Sequence, residues 1–226
     1  MVVVPNGVDL HEFSPGPDDP SLRNELGLEG ATVIGYIGSF FSYEGLDLLV
    51  RIMPPLAAEF PMLRLLLVGD GESMPALKKL ATELDVENRI VFTGRVAHSR
   101  TPDYYKLFDV MVLPRKETRE TRLVTPLKPM EIMAMAKPLM ASDIGGHREI
   151  VTDGLNGILF SSEDVDDLAD RCRRLLQAPG ECEALGLRGR DWVASHRNWN
   201  VLVKRYIALY ERLISAGRPQ GIPNAD

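Results

Sequence analysis

Residues 110–160 read VMVLPRKETRETRLVTPLKPMEIMAMAKPLMASDIGGHREIVTDGLNGILF. A short apolar run, 110–113, ends at Pro114 and passes into a loop dense in Arg, Lys and Glu. A proline-interrupted turn, Thr125-Pro126-Leu127-Lys128-Pro129, leads into an apolar helix that opens near Met130 and Glu131. A second apolar run, 138–141, leads into Ser142-Asp143 and a Gly145-Gly146 turn. Strand, charged loop and helix start, in that order, set cations and free backbone N–H groups along one edge of a parallel sheet. That edge is where α/β proteins bind phosphorylated ligands.

Outward from this stretch the same alternation continues. Apolar runs at 33–37, 63–68, 90–92 and 157–160 read as further strands, several closed by glycine (Gly38, Gly69, Gly94). Helical spacing marks 46–60, kinked at Pro54-Pro55. It also marks 75–84, capped near Glu72 or Ser73, and 101–108, which Pro102 opens well. Helices follow at 128–136, 165–177, 181–195 and 199–214. The strands are continuous apolar runs, which implies burial on both faces. The fold expected is α/β: a Rossmann-like, doubly wound parallel sheet of about six strands with helices on both sides. The Gly/Pro-rich stretch 217–226 is expected to be a disordered tail.

With 226 residues, 45% of them hydrophobic, the chain can bury a core without disulfide or metal staples. A net charge of −6 gives no general case for nucleic acid. Cys172 and Cys182 fall in helical segments and read as small buried hydrophobes. His11, His98, His147 and His196 are scattered without the spacing of a metal site. No signal peptide or membrane-spanning run is evident, so a reducing, cytoplasmic location is expected. Gly69-Asp70-Gly71 is a tight turn and not a G-x-G-x-x-G fingerprint, which speaks against a dehydrogenase. The chain opens at once on a strand-like Val2-Val3-Val4 and reads as cut from something larger.

Certain residues, in order, carry a resemblance. They are Pro5-Asn6-Gly7-Val8-Asp9 with Phe13, Gly35 to Gly45, Val68-Gly69-Asp70-Gly71, Phe92-Thr93-Gly94 and Pro114. After them come Glu131-Ile132-Met133-Ala134, Lys137-Pro138, Ala141-Ser142, and Gly145-Gly146 through Glu149 to Gly157. Together they resemble the C-terminal, donor-binding domain of GT-B glycosyltransferases of the retaining family 4, or group 1, type. The resemblance spans residues 2 to about 214, so residues 1–216 are expected to form one half of a GT-B enzyme, without its N-terminal acceptor domain. The TPLKP…GGHRE wording resembles a subgroup found in bacterial exopolysaccharide clusters.

The resemblance implies roles for particular residues. Glu131 matches the second of two glutamates eight apart and would take the ribose hydroxyls. A carboxylate suits a cis-diol because it can accept two hydrogen bonds, although a helix-start carboxylate also suits the macrodipole. The first glutamate's position holds Leu123, so the usual contact with sugar hydroxyls is lost. Thr125, Leu127 and Lys128 fall where relatives meet the diphosphate, Lys128 adding a cation or lying solvated. Gly38 lets the backbone approach the ligand. Ser39 and Glu44 stand where many relatives carry Arg and Lys aimed at the pyrophosphate. Compensation could come from Arg115, Lys116, Arg119, Arg122 or Lys128, with Arg122 and Lys128 nearest the helix start; the alternative is a solvated charged loop. Gly94, Arg95 and Val96 match the segment lining the nucleobase, with Arg95 either stacked on the base or facing solvent. Loop 145–149 is implied to be mainly structural. Trp192, Trp199, Tyr206 and Tyr210 are at core-packing spacing.

The resulting expectation is a donor-binding domain whose intact enzyme transfers a hexose from a nucleoside diphosphate sugar, with retention, to a glycan or lipid-linked acceptor. No cofactor or metal is implied, no catalytic residue is identified in this half, and the acceptor would sit in the missing domain. The full-length protein would be cytoplasmic or peripheral at the inner membrane. A non-catalytic nucleotide-binding module and a nucleotide-sugar epimerase are the alternatives.

Overall fold

A computed structural model describes residues 3–217. Six strands, β1 (Thr32–Ile37), β2 (Leu63–Val68), β3 (Ile90–Gly94), β4 (Val110–Leu113), β5 (Leu139–Ser142) and β6 (Ile158–Phe160), form one sheet. Their order is β3-β2-β1-β4-β5-β6 and every pairing is parallel. β1, β2, β4 and β5 are almost wholly buried, as their unbroken apolar runs require.

The order reverses between β1 and β4. β1 pairs with β2 along all six residues but with β4 only at Ile34↔Val110 and Gly35↔Met111. The two strands are tied at their starts, where Val33 N donates to Asp109 Oδ2 at 2.7 Å and Asp109 N to Val33 O at 2.8 Å. Beyond Gly35 they share no ladder, so a crevice opens at their carboxyl ends. Such a switch point is the usual ligand position in open α/β sheets.

The helices fall near their expected places. The 46–60 segment divides into α2 (Leu46–Arg51) and α3 (Met53–Glu59). The break comes at Ile52, because a proline tolerates the first turn of a helix but not its interior. α4 (Met74–Glu83), α5 (Thr101–Leu107) and α7 (Lys128–Ala134) follow, then α9 (Val165–Gln177), α10 (Pro179–His196) and α11 (Trp199–Gly217). Cys172 and Cys182 are buried free thiols.

Several expectations are corrected. α1 (Pro20–Glu25) was not expected; Asp19 caps it by accepting from Ser21 N. The charged loop holds a short helix, α6 (Arg119–Leu123), begun by a reciprocal Thr118–Thr121 cap. The Gly145-Gly146 turn is one helical turn, α8 (Gly145–Arg148), packed on α6. Val3 and Val4 form no strand. Of the four C-terminal aromatics only Trp192 packs against the core; Trp199 and Tyr210 are exposed, because only one face of α11's first turn meets the domain. The expected tail lies, but for Gly217, outside the described residues.

Candidate functional site

Three segments meet at the crevice: the link after β1 (38–45), the link after β4 (114–118) and the start of α7. Gly45 joins the first to the second. It adopts a left-handed backbone, φ +69, and a Cβ there would collide with the Pro114 carbonyl. Lys116 N donates to Tyr43 O at 2.9 Å, and Arg115 lies 5.8 Å from the Tyr43 ring.

Glu44 ends the turn Ser42–Glu44 and is 2% exposed. Both its oxygens are bound by cations from the far lip. Arg115 donates from Nη2 to Oε1 at 2.9 Å and from Nε to Oε2 at 3.1 Å, and Lys128 Nζ donates to Oε1 at 3.2 Å. Burial pushes the Glu44 carboxyl up, but the Arg115 hydrogen bonds and the Lys128 charge outweigh it and hold it below the usual carboxylate range. Burial also lowers the Lys128 ammonium, with Glu44 opposing that shift.

Lys128 is held on three sides. Its Nζ sits 5.0 Å from the centre of the Tyr36 ring, a cation–π contact. Tyr36 in turn donates its hydroxyl to Ser39 O at 3.1 Å. A Cβ on Gly38 would run into the Lys128 Cε and stand 2.9 Å from Nζ, so glycine is what lets the amine lie against the end of β1. Ser39 itself is exposed.

Glu131, in the first turn of α7, is half-buried. The hydroxyl of Tyr105 on α5 donates to its Oε2 at 2.7 Å. Tyr105 is fully buried beside this carboxylate, and burial holds its hydroxyl well above its ordinary value, so it stays a donor. Phe13 packs edge-on against it, ring centres 5.9 Å apart. Oε1 of Glu131 has no hydrogen-bond partner among the described residues.

The remaining expected site residues are more dispersed. Thr125 donates its hydroxyl to Glu149, and Leu127 is exposed immediately before α7. Arg122 is bound to Glu117 at 2.9 Å on the exposed rim, so Arg115, and not Arg122, joins Lys128 in the Glu44 cluster. Gly94, φ +71, has open space where a side chain would be, at the end of β3; Arg95 is exposed and Val96 packs against the core. Leu123 is 68% exposed.

His147 on α8 is fully buried. Its Nδ1 donates to Ser142 O at 2.8 Å, Nε2 has no partner, and burial depresses its pKa to about 4. It is therefore neutral and shielded from any external substrate. Arg148 is bound to Asp143, Nη2 to Oδ2 at 2.7 Å. Among the described residues, no group of three or more His, Cys, Asp or Glu side chains is placed to hold a metal. A cavity of about 370 Å³ lies at the amino-terminal ends of β1, β4 and β5, away from the crevice, beside Asp109, Lys137 and Cys182, where Lys137 Nζ is already taken by the Lys106 carbonyl at 2.8 Å.

Sequence reasoning missed Tyr36, Tyr105 and the role of Glu44. Tyr36 lies in a strand run and Tyr105 in an amphipathic helix, so neither stands out in the sequence; only the fold sets their hydroxyls at the crevice.

A family model described as "Glycosyl transferases group 1" matches residues 31–178. A GDP-mannose-dependent alpha-(1-6)-phosphatidylinositol monomannoside mannosyltransferase of Mycolicibacterium smegmatis is 30% identical over 87% of this chain and 52% of its own length. A D-inositol 3-phosphate glycosyltransferase of Nocardia farcinica is 32% identical over 92% of this chain and 48% of its own. The chain thus spans about half the length of these curated relatives. Among solved structures, Anabaena HepE in complex with UDP superposes with a TM-score of 0.82 at 23% identity, over 95% of this chain and 57% of that one, a likeness of fold. No described helix is long and apolar enough to cross a membrane. A family match over well more than half its length, together with relatives at this identity and coverage, establishes that the chain belongs to the group 1 glycosyl transferases.

Proposed function

We propose that the chain is the nucleotide-sugar-binding half of a glycosyltransferase. The intact enzyme would move a hexose, with retention, to a glycan or lipid-linked acceptor held by the other half. The observation that carries this reading is the Glu131 carboxylate, fixed by Tyr105 beside a crevice that also holds Lys128 and Arg115. Glu131 would accept from the ribose diol, and Gly94 to Val96 would border the base. Lys128, with Thr125 and the Leu127 backbone, would meet the diphosphate and stabilise the charge that develops as it leaves. Side chains would do this without a metal ion. The GDP-mannose dependence in the name of the Mycolicibacterium relative makes GDP-mannose the first donor to try. A cytoplasmic place for the intact protein, free or against the inner membrane, suits such donors.

Thermal unfolding with GDP, UDP and ADP and their sugar conjugates tests the reading. A ligand at about a hundred times its dissociation constant adds roughly 2.7 kcal/mol. For a domain of this size that raises the midpoint by roughly 5–10 °C. One nucleotide family should give the rise and Glu131→Ala should remove it; no shift with any of them defeats the proposal. The exposed Leu123 favours a second reading, a nucleotide-binding module without transfer activity. Transfer by the chain joined to its other half would decide against it.

A further inference from the structure

Glu44 is, at first sight, the wrong charge in the wrong place. It is an acid in the link after β1, at the crevice where an anionic ligand would lie. Its surroundings give it another task. Glu44 is 2% exposed, and a carboxylate so placed is tolerable only if it is paired and hydrogen-bonded. Here it is over-paired, one negative charge against the two positive charges of Arg115 and Lys128, which leaves the cluster net cationic.

The two cations come from separate elements. Arg115 follows β4 and Lys128 opens α7, while Glu44 reaches them from the link after β1. Glu44 is therefore a strut across the switch point, and without it two adjacent, largely buried cations would repel each other. The strut leaves donors spare. Arg115 spends Nε and one Nη2 contact on Glu44, and Lys128 spends one of its three N–H groups. The Lys128 ammonium is pinned between the Tyr36 ring and the bare backbone of Gly38, with 21% of its side chain still reaching solvent. A pinned, part-exposed cation with spare donors is preorganised for a charge-assisted contact.

We infer that Glu44 is a positioning residue for the phosphates of a nucleoside diphosphate: it touches no ligand and sets Lys128 and Arg115 where those phosphates bind. The inference rests on the proposed donor-binding function and names the device that works its anionic end. The alternative relation, in which Glu44 competes with the ligand for the two cations, predicts the opposite sign on its removal.

Titration calorimetry on the 226-residue chain separates these. The probes are GDP and UDP, each beside its parent nucleoside. The ratio of nucleoside to diphosphate dissociation constants isolates what the phosphates contribute. Glu44→Gln should lower that ratio at least tenfold with nucleoside binding unchanged; a merely damaged fold would weaken both ligands together. Lys128→Met should lower the ratio as well, and Glu44→Gln added to it should cost less than it does alone, because only Arg115 is then left for Glu44 to place. If Glu44→Gln does not fold, Glu44→Asp, too short to span both cations, should give an intermediate loss. An unchanged or increased ratio in the folded Glu44 variant, or additive losses in the double variant, overturns the inference while leaving the donor site intact. Failure of the unaltered chain to bind either diphosphate overturns the functional reading and this inference with it.

Discussion

Tyr105 governs what Glu131 can do. A carboxylate in the first turn of a helix can turn among several rotamers; here the hydroxyl of Tyr105, 2.7 Å away, holds one oxygen and so fixes the aim of the other. Because burial keeps that hydroxyl protonated, the contact persists across the physiological range. Tyr105→Phe keeps the ring and its edge-on contact with Phe13 but releases the carboxylate. Unfolding should cost about 1 kcal/mol less, the usual net worth of one hydrogen bond. Nucleotide affinity should fall several-fold, less than for Glu131→Ala. Calorimetric titration beside denaturant unfolding would measure both, and unaltered affinity in Tyr105→Phe would show that Glu131 needs no support. Glu131 was singled out in the sequence by its match to the second of two family glutamates, at the helix start that the structure also shows. Tyr105 was not, since it sits 26 residues earlier in an ordinary amphipathic helix and acquires its role only from packing.

Among the elements, the strands were legible almost residue by residue. An unbroken apolar run of four to six residues has few other fates in an α/β chain. Short polar elements were not: α6 depends on a reciprocal Thr118–Thr121 cap inside a charged loop, and α8 on glycines packed under it, neither of which shows as hydrophobic period. Helix α11 shows the reverse failure. Its period is strong, yet Val203, Ile207, Tyr210, Leu213 and Ile214 are exposed, and among its described side chains only Leu202, in the first turn, is fully buried. Period reports that a face is apolar, not that the chain in hand covers it. Leu202→Ala should therefore cost about 2–5 kcal/mol, as a cavity in a packed site does. Ile207→Lys together with Leu213→Lys should stay within about 0.5 kcal/mol. Denaturant midpoints of the two variants should separate clearly; equal losses would mean that the distal part of α11 packs on the domain.

The molecule as a whole carries a net charge of −6, so its cationic crevice is a local construction set against the general field. That construction lies over a buried histidine, and the two together give the fold an acid limit. Arg115, Glu44 and Lys128 all act electrostatically on His147, but burial dominates and holds it at about 4, against 6.5 in an unfolded chain. Between those values the unfolded chain binds a proton that the folded chain refuses, so stability falls as pH drops from about 6.5 towards 4. The gap corresponds to on the order of 3 kcal/mol. Glu44 acts lower: its folded pKa lies below 4.5, so the stability it lends is complete above about that pH and is lost as pH falls through the folded value. His147→Leu should remove the first of these losses and leave the second. Its cost at pH 7 should be small, because Ser142 O keeps the hydrogen bond from Ile144 N at 2.9 Å. Urea unfolding at intervals from pH 4 to pH 8 should therefore give a curve for His147→Leu that is flatter than that of the unaltered chain above pH 4.5. Parallel curves would mean that His147 takes up its proton in the folded state and that the cluster above it opens to water.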